Sequence, residues 1–277
     1  KGINPWYFQC HQPPAGKDEM RNLFQTFKKY QYLLYQLVKK DIKLKYRSSY
    51  LGVLWTLLEP LLTMMVLTVV FSSLLGKGTR DFPVYILTGR LLYSFFSGST
   101  KTALKSVRSN AGMIKKVYVP KYMYPCAGVI SGYVMFLISL IVLFLVAAVR
   151  GVRPTWHLLE AIFPLAIVFV MTLGVGLILS TIAVFFRDME YLWGVALMLL
   201  MYACAIFYRV EDVVSASNRW IFLLNPLYAV IENFRNAVFG LQMNITAQLY
   251  SLVFSVVAFA AGVFIFYKNQ DKFILHL

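Results

Sequence analysis

Acidic residues are scarce in this chain: 12 Asp and Glu stand among 277 residues, against 27 Lys and Arg, and charged residues of both signs make up only 14%. That share, beside 59% hydrophobic residues, 16% aromatic residues and a mean hydropathy of +0.65, excludes an ordinary water-soluble domain. Cysteine is equally sparse. Cys10, Cys126 and Cys204 are odd in number and far apart, which excludes a disulfide framework and a cysteine metal-ligand spacing, and they read as free thiols in apolar surroundings. His11, His157 and His276 are isolated, and there is no His-Glu-x-x-His, nucleophile elbow or pair of membrane carboxylates, so no intrinsic catalytic apparatus is visible. The nucleotide-binding pattern Gly-x-x-x-x-Gly-Lys-Ser/Thr is missing too; Gly16-Lys17-Asp18 and Gly76-Lys77-Gly78 lack its spacing.

What the chain has instead is long uncharged runs punctuated by basic residues. A basic excess suits nucleic acid, anionic lipid or the rim of a membrane protein, and the punctuated pattern argues against nucleic acid. A hydrocarbon core of about 30 Å needs about 20 apolar residues in helix, because a helix satisfies its own backbone groups there. Six runs qualify, at about 53–75, 82–104, 125–149, 161–186, 191–208 and 245–267. The second is the weakest, since Arg90 interrupts it and Ser97, Gly98, Ser99 and Thr100 dilute its end. With six spans, 19 Lys and Arg fall on the side of both termini and 7 on the other, so both termini are expected to be cytoplasmic. The expected fold class is therefore an all-α integral membrane protein of six transmembrane helices.

Residues 1–20 read as a cytoplasmic tail, with Pro13, Pro14, Lys17 and Asp18 where a cleavable signal would have an apolar core. Residues 21–50 read as an amphipathic helix lying in the membrane interface. Leu23, Phe27, Tyr30, Leu34 and Leu37 share one face, while Lys28, Lys29, Lys39, Lys40 and Lys43 fall largely elsewhere. A soluble helix packed on a partner is the alternative, and Asp41 interrupts the stripe as a candidate bend. Residues 51–277 form the transmembrane domain.

Four segments carry a specific resemblance. The entry to the first span, Asp41-Ile-Lys-Leu-Lys-Tyr-Arg-Ser-Ser-Tyr-Leu-Gly-Val-Leu-Trp-Thr-Leu-Leu-Glu-Pro, has Arg47, Leu51, Gly52, Trp55 and Pro60 in order. It is followed by Asn110-Ala-Gly-Met-Ile-Lys-Lys-Val-Tyr-Val-Pro, by Val184-Phe-Phe-Arg-Asp-Met-Glu, and by Asn225-Pro-Leu-Tyr-Ala-Val-Ile-Glu-Asn-Phe-Arg-Asn-Ala-Val-Phe-Gly. In order and spacing these resemble the ABC-2 type permeases that export lipid-linked polysaccharides, the group of O-antigen and teichoic acid exporters. Glu59, Val119 and Tyr208-Arg209 depart from the pattern of that family, which commonly has Asn, Gln or Trp, Phe, and Tyr-Pro at those places.

The resemblance implies a multi-pass subunit in the inner membrane of a bacterium, paired with a second copy of itself and with a separate nucleotide-binding ATPase. ATP and Mg would be bound by that partner and no cofactor by this chain. The substrate implied is a lipid-linked glycan. Asn110, Met113, Ile114, Lys116 and Tyr118, with Arg187 and Asp188 of the Phe-Arg-Asp turn, would couple the ATPase to the spans. A membrane-surface helix, and for Arg187, Asp188 and Glu190 an acid-base site, are the competing readings.

Physical chemistry adds to this without the family. Pro60 cannot donate to the helix ladder and bends the chain, and Glu59 beside it would cost about 2.5–3.5 kcal/mol at the bilayer centre if charged and unpaired. Glu59 therefore faces the interior or sits at the rim. Arg90 needs a carboxylate, a carbonyl or a water-filled path. Asn110 is a candidate N-cap for a short loop helix. Between Tyr208 and the last span, the apolar Trp220–Val230 stretch reads as two short re-entrant helices broken at Asn225-Pro226, or as a lid on the headgroups. Glu59, Pro60, Arg90, Tyr93, Phe207, Arg209, Asn225 and Pro226 are the candidate path or gate residues, and Arg209 would suit an anionic polymer such as teichoic acid. Competing functions are an ABC-2 drug or lipid exporter, a secondary transporter, and an intramembrane transferase or hydrolase. The single near-rim carboxylate and the absence of an internal repeat weigh against the transporter.

Overall fold

The computed structural model describes residues 23–46, 51–75, 81–116, 119–153, 155–210 and 220–273. Among these residues the ordered elements are all helices, with no strand. Helix α1 (Leu23–Tyr46) leads through a 3-10 turn (Gly52–Leu54) into α2 (Trp55–Leu75). After these come α3 (Phe82–Ser109), the single turn α4 (Ala111–Ile114), α5 (Met123–Arg150), a 3-10 turn (Trp156–Ala161), α6 (Ile162–Phe185) and α7 (Met189–Ala203). The chain ends in α8 (Trp220–Leu223), α9 (Pro226–Phe239) and α10 (Ile245–Asn269). Three helical stretches, Met123–Arg150, Trp156–Phe185 and Ile245–Lys272, are each long and apolar enough to cross a membrane.

The long helices have no need of strong local propensity, because a continuous apolar sequence in lipid leaves the backbone no other donor or acceptor. Their association then depends on close packing, which small residues permit. At Gly174 of α6, an added Cβ would sit 2.5 Å from the Phe259 nitrogen and 2.6 Å from the Ala258 carbonyl carbon of α10. Across the same contact, a Cβ on Gly262 would meet the Gly174 carbonyl oxygen at 2.5 Å. The two backbones therefore touch, with Ser251, Ser255 and Ala258 buried along the same stripe of α10.

One end of the bundle is marked by a cluster that ties α1 to the loops. Leu34 and Leu37 of α1 pack with Val107, Ile114, Met123, Phe266 and Phe273. Of the expected apolar stripe of α1, Leu34 and Leu37 are buried and Tyr30 is half-buried. Helix α1 runs unbroken through Asp41. One detail differs from expectation. The run expected as span five ends as helix at Ala203, five residues before Tyr208, and turns at Ala205 with φ of 45°.

At α7, 15 residues give a helix of about 22 Å, short of the ~30 Å hydrocarbon core. The chain continues as a non-helical, mostly buried segment through Cys204, Ala205, Ile206 and Phe207. Such backbone survives at depth only where protein supplies its partners.

Gly174→Leu is expected to destabilise the purified protein by about 1–3 kcal/mol or more, since neither backbone can retreat from the other. Gly194→Ala, where a Cβ meets nothing within 4 Å, should leave thermal melting in detergent unchanged.

Candidate functional site: a cleft, an exposed turn and a polar knot

Glu59, Pro60 and Arg90, separated in sequence, come together in one cleft. It lies between α1, α2, α3 and α5, has a volume of about 620 Å³, and is lined also by Asp41, Lys45, Thr56 and Thr63. On the α3 and α5 walls stand Ser94, Ser99, Thr102, Ser131, Phe95 and Phe136. Burial pushes the Asp41 carboxyl above the ordinary carboxylate range, and neighbouring Lys40 pulls it back. Glu59 is exposed and Arg90 half-buried, and neither makes a hydrogen bond or ion pair among the described residues.

Pro60 sets the shape of the α2 wall. Its missing N–H would have bonded the Thr56 carbonyl four residues earlier. That orphaned oxygen instead accepts the Ser139 hydroxyl of α5 at 3.1 Å, while Ser139 Oγ also lies 3.0 Å from its own Met135 carbonyl. Gly52, at φ of 49°, begins the 3-10 turn that redirects the chain into α2, a backbone state that favours glycine.

Tyr93, Phe207, Arg209, Asn225 and Pro226 are not part of the cleft lining. Tyr93 donates its phenol to the Leu197 carbonyl of α7 at 2.6 Å. Phe207 is buried and stacked on Phe71, with centroids 5.1 Å apart. Asn225 caps α9 by accepting the Leu227 N–H at 3.1 Å, with Pro226 in the first turn. Its amide nitrogen donates to the Ala203 carbonyl at 3.3 Å.

These contacts belong to a knot around the broken end of α7. Arg235 of α9 is 4% exposed. Its Nη2 donates to the Ala205 carbonyl at 3.2 Å and lies 3.5 Å from that of Ile206. Its Nη1 donates to the Tyr85 hydroxyl at 2.9 Å, and that hydroxyl passes its own proton to the Tyr208 carbonyl at 2.9 Å. The Tyr85 ring lies under the Arg235 guanidinium, 3.7 Å from its centroid, with Arg209 at 5.6 Å. Gly89 makes room for the guanidinium, because any Cβ there would collide with Nη2.

Sequence reading missed Tyr85, Ser139 and Arg235 as site residues. Arg235 alone left a signal, since in helical register it falls on the stripe of Ile231, Phe234 and Val238, where a solvated charge has no place.

The loop residues divide. Asn110 does not cap α4: its side chain turns back, and Nδ2 donates to the Ser106 carbonyl at 2.8 Å, closing the end of α3. That carbonyl lies in the last helical turn, where four acceptors need partners. Ile114 is buried in the cluster with α1, while Met113 and Lys116 are exposed; Tyr118 lies outside the described residues. Arg187 and Asp188 are exposed on the turn between α6 and α7, where the Asp188 carbonyl, not its side chain, accepts from Tyr191 and Leu192. Glu190 pairs with Lys105 of α3.

With that arrangement described, similarity to known proteins can be placed on it. The sequence model of the ABC-2 type transporter family matches residues 32–239, more than half of the chain. The chain belongs to this family. The O-antigen export system permease protein RfbA of Myxococcus xanthus is 28% identical over 258 residues, covering 92% of this chain and 97% of that protein. An O-antigen export system permease protein RfbA of Klebsiella pneumoniae is 30% identical over 246 residues, covering 87% and 93%. The polysialic acid transport protein KpsM of Escherichia coli is similar at 22% over 245 residues, 85% of this chain and 92% of that one. Within this ABC-2 chain the family match takes in the cleft, the exposed turn and Arg235, and stops before α10.

Ser139→Ala should cost about 1–3 kcal/mol by removing the hydroxyl that bonds the Thr56 carbonyl, and Pro60→Ala in the same chain should recover part of it by supplying a backbone donor. Equal losses in Ser139→Ala and the double variant, read by chemical denaturation, would separate the two residues. Arg235→Met is expected to lower stability by about 2 kcal/mol or more, against about 1 kcal/mol or less for Arg209→Met.

Proposed function

We propose that this chain is the membrane subunit of an ABC exporter that carries a lipid-linked polysaccharide, of O-antigen or capsular type, across the inner membrane of a bacterium. Similarity to O-antigen export permeases over nearly the whole length of both chains carries the reading. The named order of motifs, from Arg47 to the Asn225-Pro226 hairpin, supports it.

In this reading α2, α3, α5, α6, α7 with its non-helical extension, and α10 are six spans. Both termini lie in the cytoplasm, in keeping with the 19 basic residues gathered on that side. Helices α8 and α9 dip back into the outer half of the membrane. Two copies enclose the path, and an ATPase subunit binds ATP and Mg and docks on the cytoplasmic end. Met113 on α4 and Lys116 just after it, with Arg187 and Asp188 on the turn between α6 and α7, are the exposed surface offered to it. Ile114 and Asn110 transmit force: the first is wedged among α1, α3 and α5, and the second is bonded to the last turn of α3. A rigid contact of this kind moves the helices when the loop moves.

The decisive experiment is ATPase activity of the chain reconstituted with its genomic neighbour ATPase, with and without lipid-linked glycan. Stimulation by the glycan supports the reading, and an ATPase indifferent to glycans but stimulated by hydrophobic drugs would replace it with drug export. Met113→Glu with Lys116→Glu should abolish co-purification of the ATPase while the chain still folds, because neither side chain is buried. Undiminished co-purification would remove this turn from the interface.

A further inference from the structure

Past α10 the chain turns polar, with Gln270, Asp271 and Lys272 in a 3-10 turn whose last two residues are exposed. A solvated tail is what such a stretch gives by itself. The chain instead turns back. Phe273, the residue after the turn, is fully buried. Its ring meets Phe266 of α10 edge-on, with centroids 5.2 Å apart, and Phe185 at the end of α6, 6.0 Å away. It belongs to the cluster that holds Leu34 and Leu37 of α1, Ile114 of α4 and Met123 of α5.

A second residue holds this return in place. The Gln270 carbonyl accepts two donors, the Phe273 N–H that closes the turn and the Lys121 ammonium from the loop before α5. Asn269 donates its amide to the Ile265 carbonyl at 2.8 Å, so the last turn of α10 is closed as well. The Lys121 ammonium also lies 6.0 Å from the centroid of the Phe273 ring, within reach of a cation–π attraction. Burial pulls the Lys121 pKa below the ordinary lysine range, and Asp271 pushes it back up. A half-buried ammonium committed to one carbonyl and one ring is a specified contact, since desolvating it without a partner would be costly.

The two residues that Phe273 meets outside its own segment are informative. Phe185 immediately precedes the turn of Arg187 and Asp188, and Lys121 lies on the loop that follows α4. Helices α6 and α10 already form one body through the contact at Gly174 and Gly262. Phe273 carries that body across to the α4 loop and to α1, through close-packed contacts that transmit displacement.

We propose that Phe273, pinned by Lys121, is a positioning residue that locks the α4 loop and the α6–α7 turn into one unit, so that a displacement received at either turn moves α6 and α10 together with α3 and α5. The assignment rests on the reading that both turns face an ATPase. Its own content is the mechanical link between them.

The test compares wild type, Phe273→Ala, Phe273→Leu and Lys121→Met, each as the full chain in complex with its ATPase. Hydrogen exchange read by mass spectrometry should quicken about fivefold or more in both 111–116 and 186–192 of Phe273→Ala, and in neither segment of Phe273→Leu. Lys121→Met should quicken the same two segments by less, and α9 should keep its wild-type exchange in every variant. The ATPase should still co-purify with Phe273→Ala, while the glycan-stimulated part of its activity falls at least about threefold and recovers in Phe273→Leu. Quickening confined to 266–277, or to one turn without the other, overturns the link. Both turns loosened with undiminished stimulation overturns its role in transmission. If Phe273→Ala fails to assemble or loosens α9, Lys121→Met decides by the same two segments. A wild type without glycan stimulation sinks the export reading, and the exchange comparison, which needs no glycan, still decides the link.

Discussion

In apolar surroundings a peptide carbonyl without a partner costs more than almost any side-chain contact gains, and among the described residues Pro60 and the end of α7 are places where the helix ladder loses a bond. At Pro60 the ladder loses the donor that would meet the Thr56 oxygen; at Ala203 a helix too short to reach across a bilayer stops. Each break is answered from elsewhere in the sequence. Ser139 of α5 supplies one hydroxyl. Asn225, Arg235 and Tyr85 supply the donors for Ala203, Ala205, Ile206 and Tyr208. Without those donors the departures from helix would not persist, and both the cleft wall at Pro60 and the packing of α9 on the end of α7 depend on them.

The same constraint separates the parts of the molecule that can move from those that cannot. The knot around Arg235 binds α3, α9 and the end of α7 through charged and aromatic contacts in a buried place, so those elements shift together. The contact of α6 with α10 is backbone against backbone and leaves no slack. By contrast α2 has one wall on the cleft, though Met64 is buried in the core, and the turn at Met113 is held by Ile114 and by the Asn110 bond to α3.

Much of this was legible beforehand. Residues of α2, α3, α5, α6 and α10 could be found as apolar runs, because in lipid the helix is the only local answer and its length is set by the bilayer. The stripe of Leu34 and Leu37 and the cap at Asn225 were likewise readable, since each depends on residues a few positions apart. The early end of α7 was not, for nothing in Leu200–Tyr208 loses its helical preference; the break is stabilised by an arginine that comes later in the chain. Asn110 went wrong for a related reason. Its side-chain nitrogen joins the Asn110 N–H and the Ser109 hydroxyl on the Ser106 carbonyl, and the first amides of α4 receive no side-chain acceptor from it.

The sequence by itself determined that this is a helical membrane protein with a basic face and, through its motifs, the family to which it belongs. Those properties follow from composition, period and short spacing, which act over a turn or two of helix. Only the tertiary structure decided that Glu59 and Arg90 share a cleft while Tyr93 and Phe207 do not, that Arg235 is interior, and that Ile114 is spent on packing. Each of these depends on which distant backbone group is left without a partner, and that is settled when the helices meet.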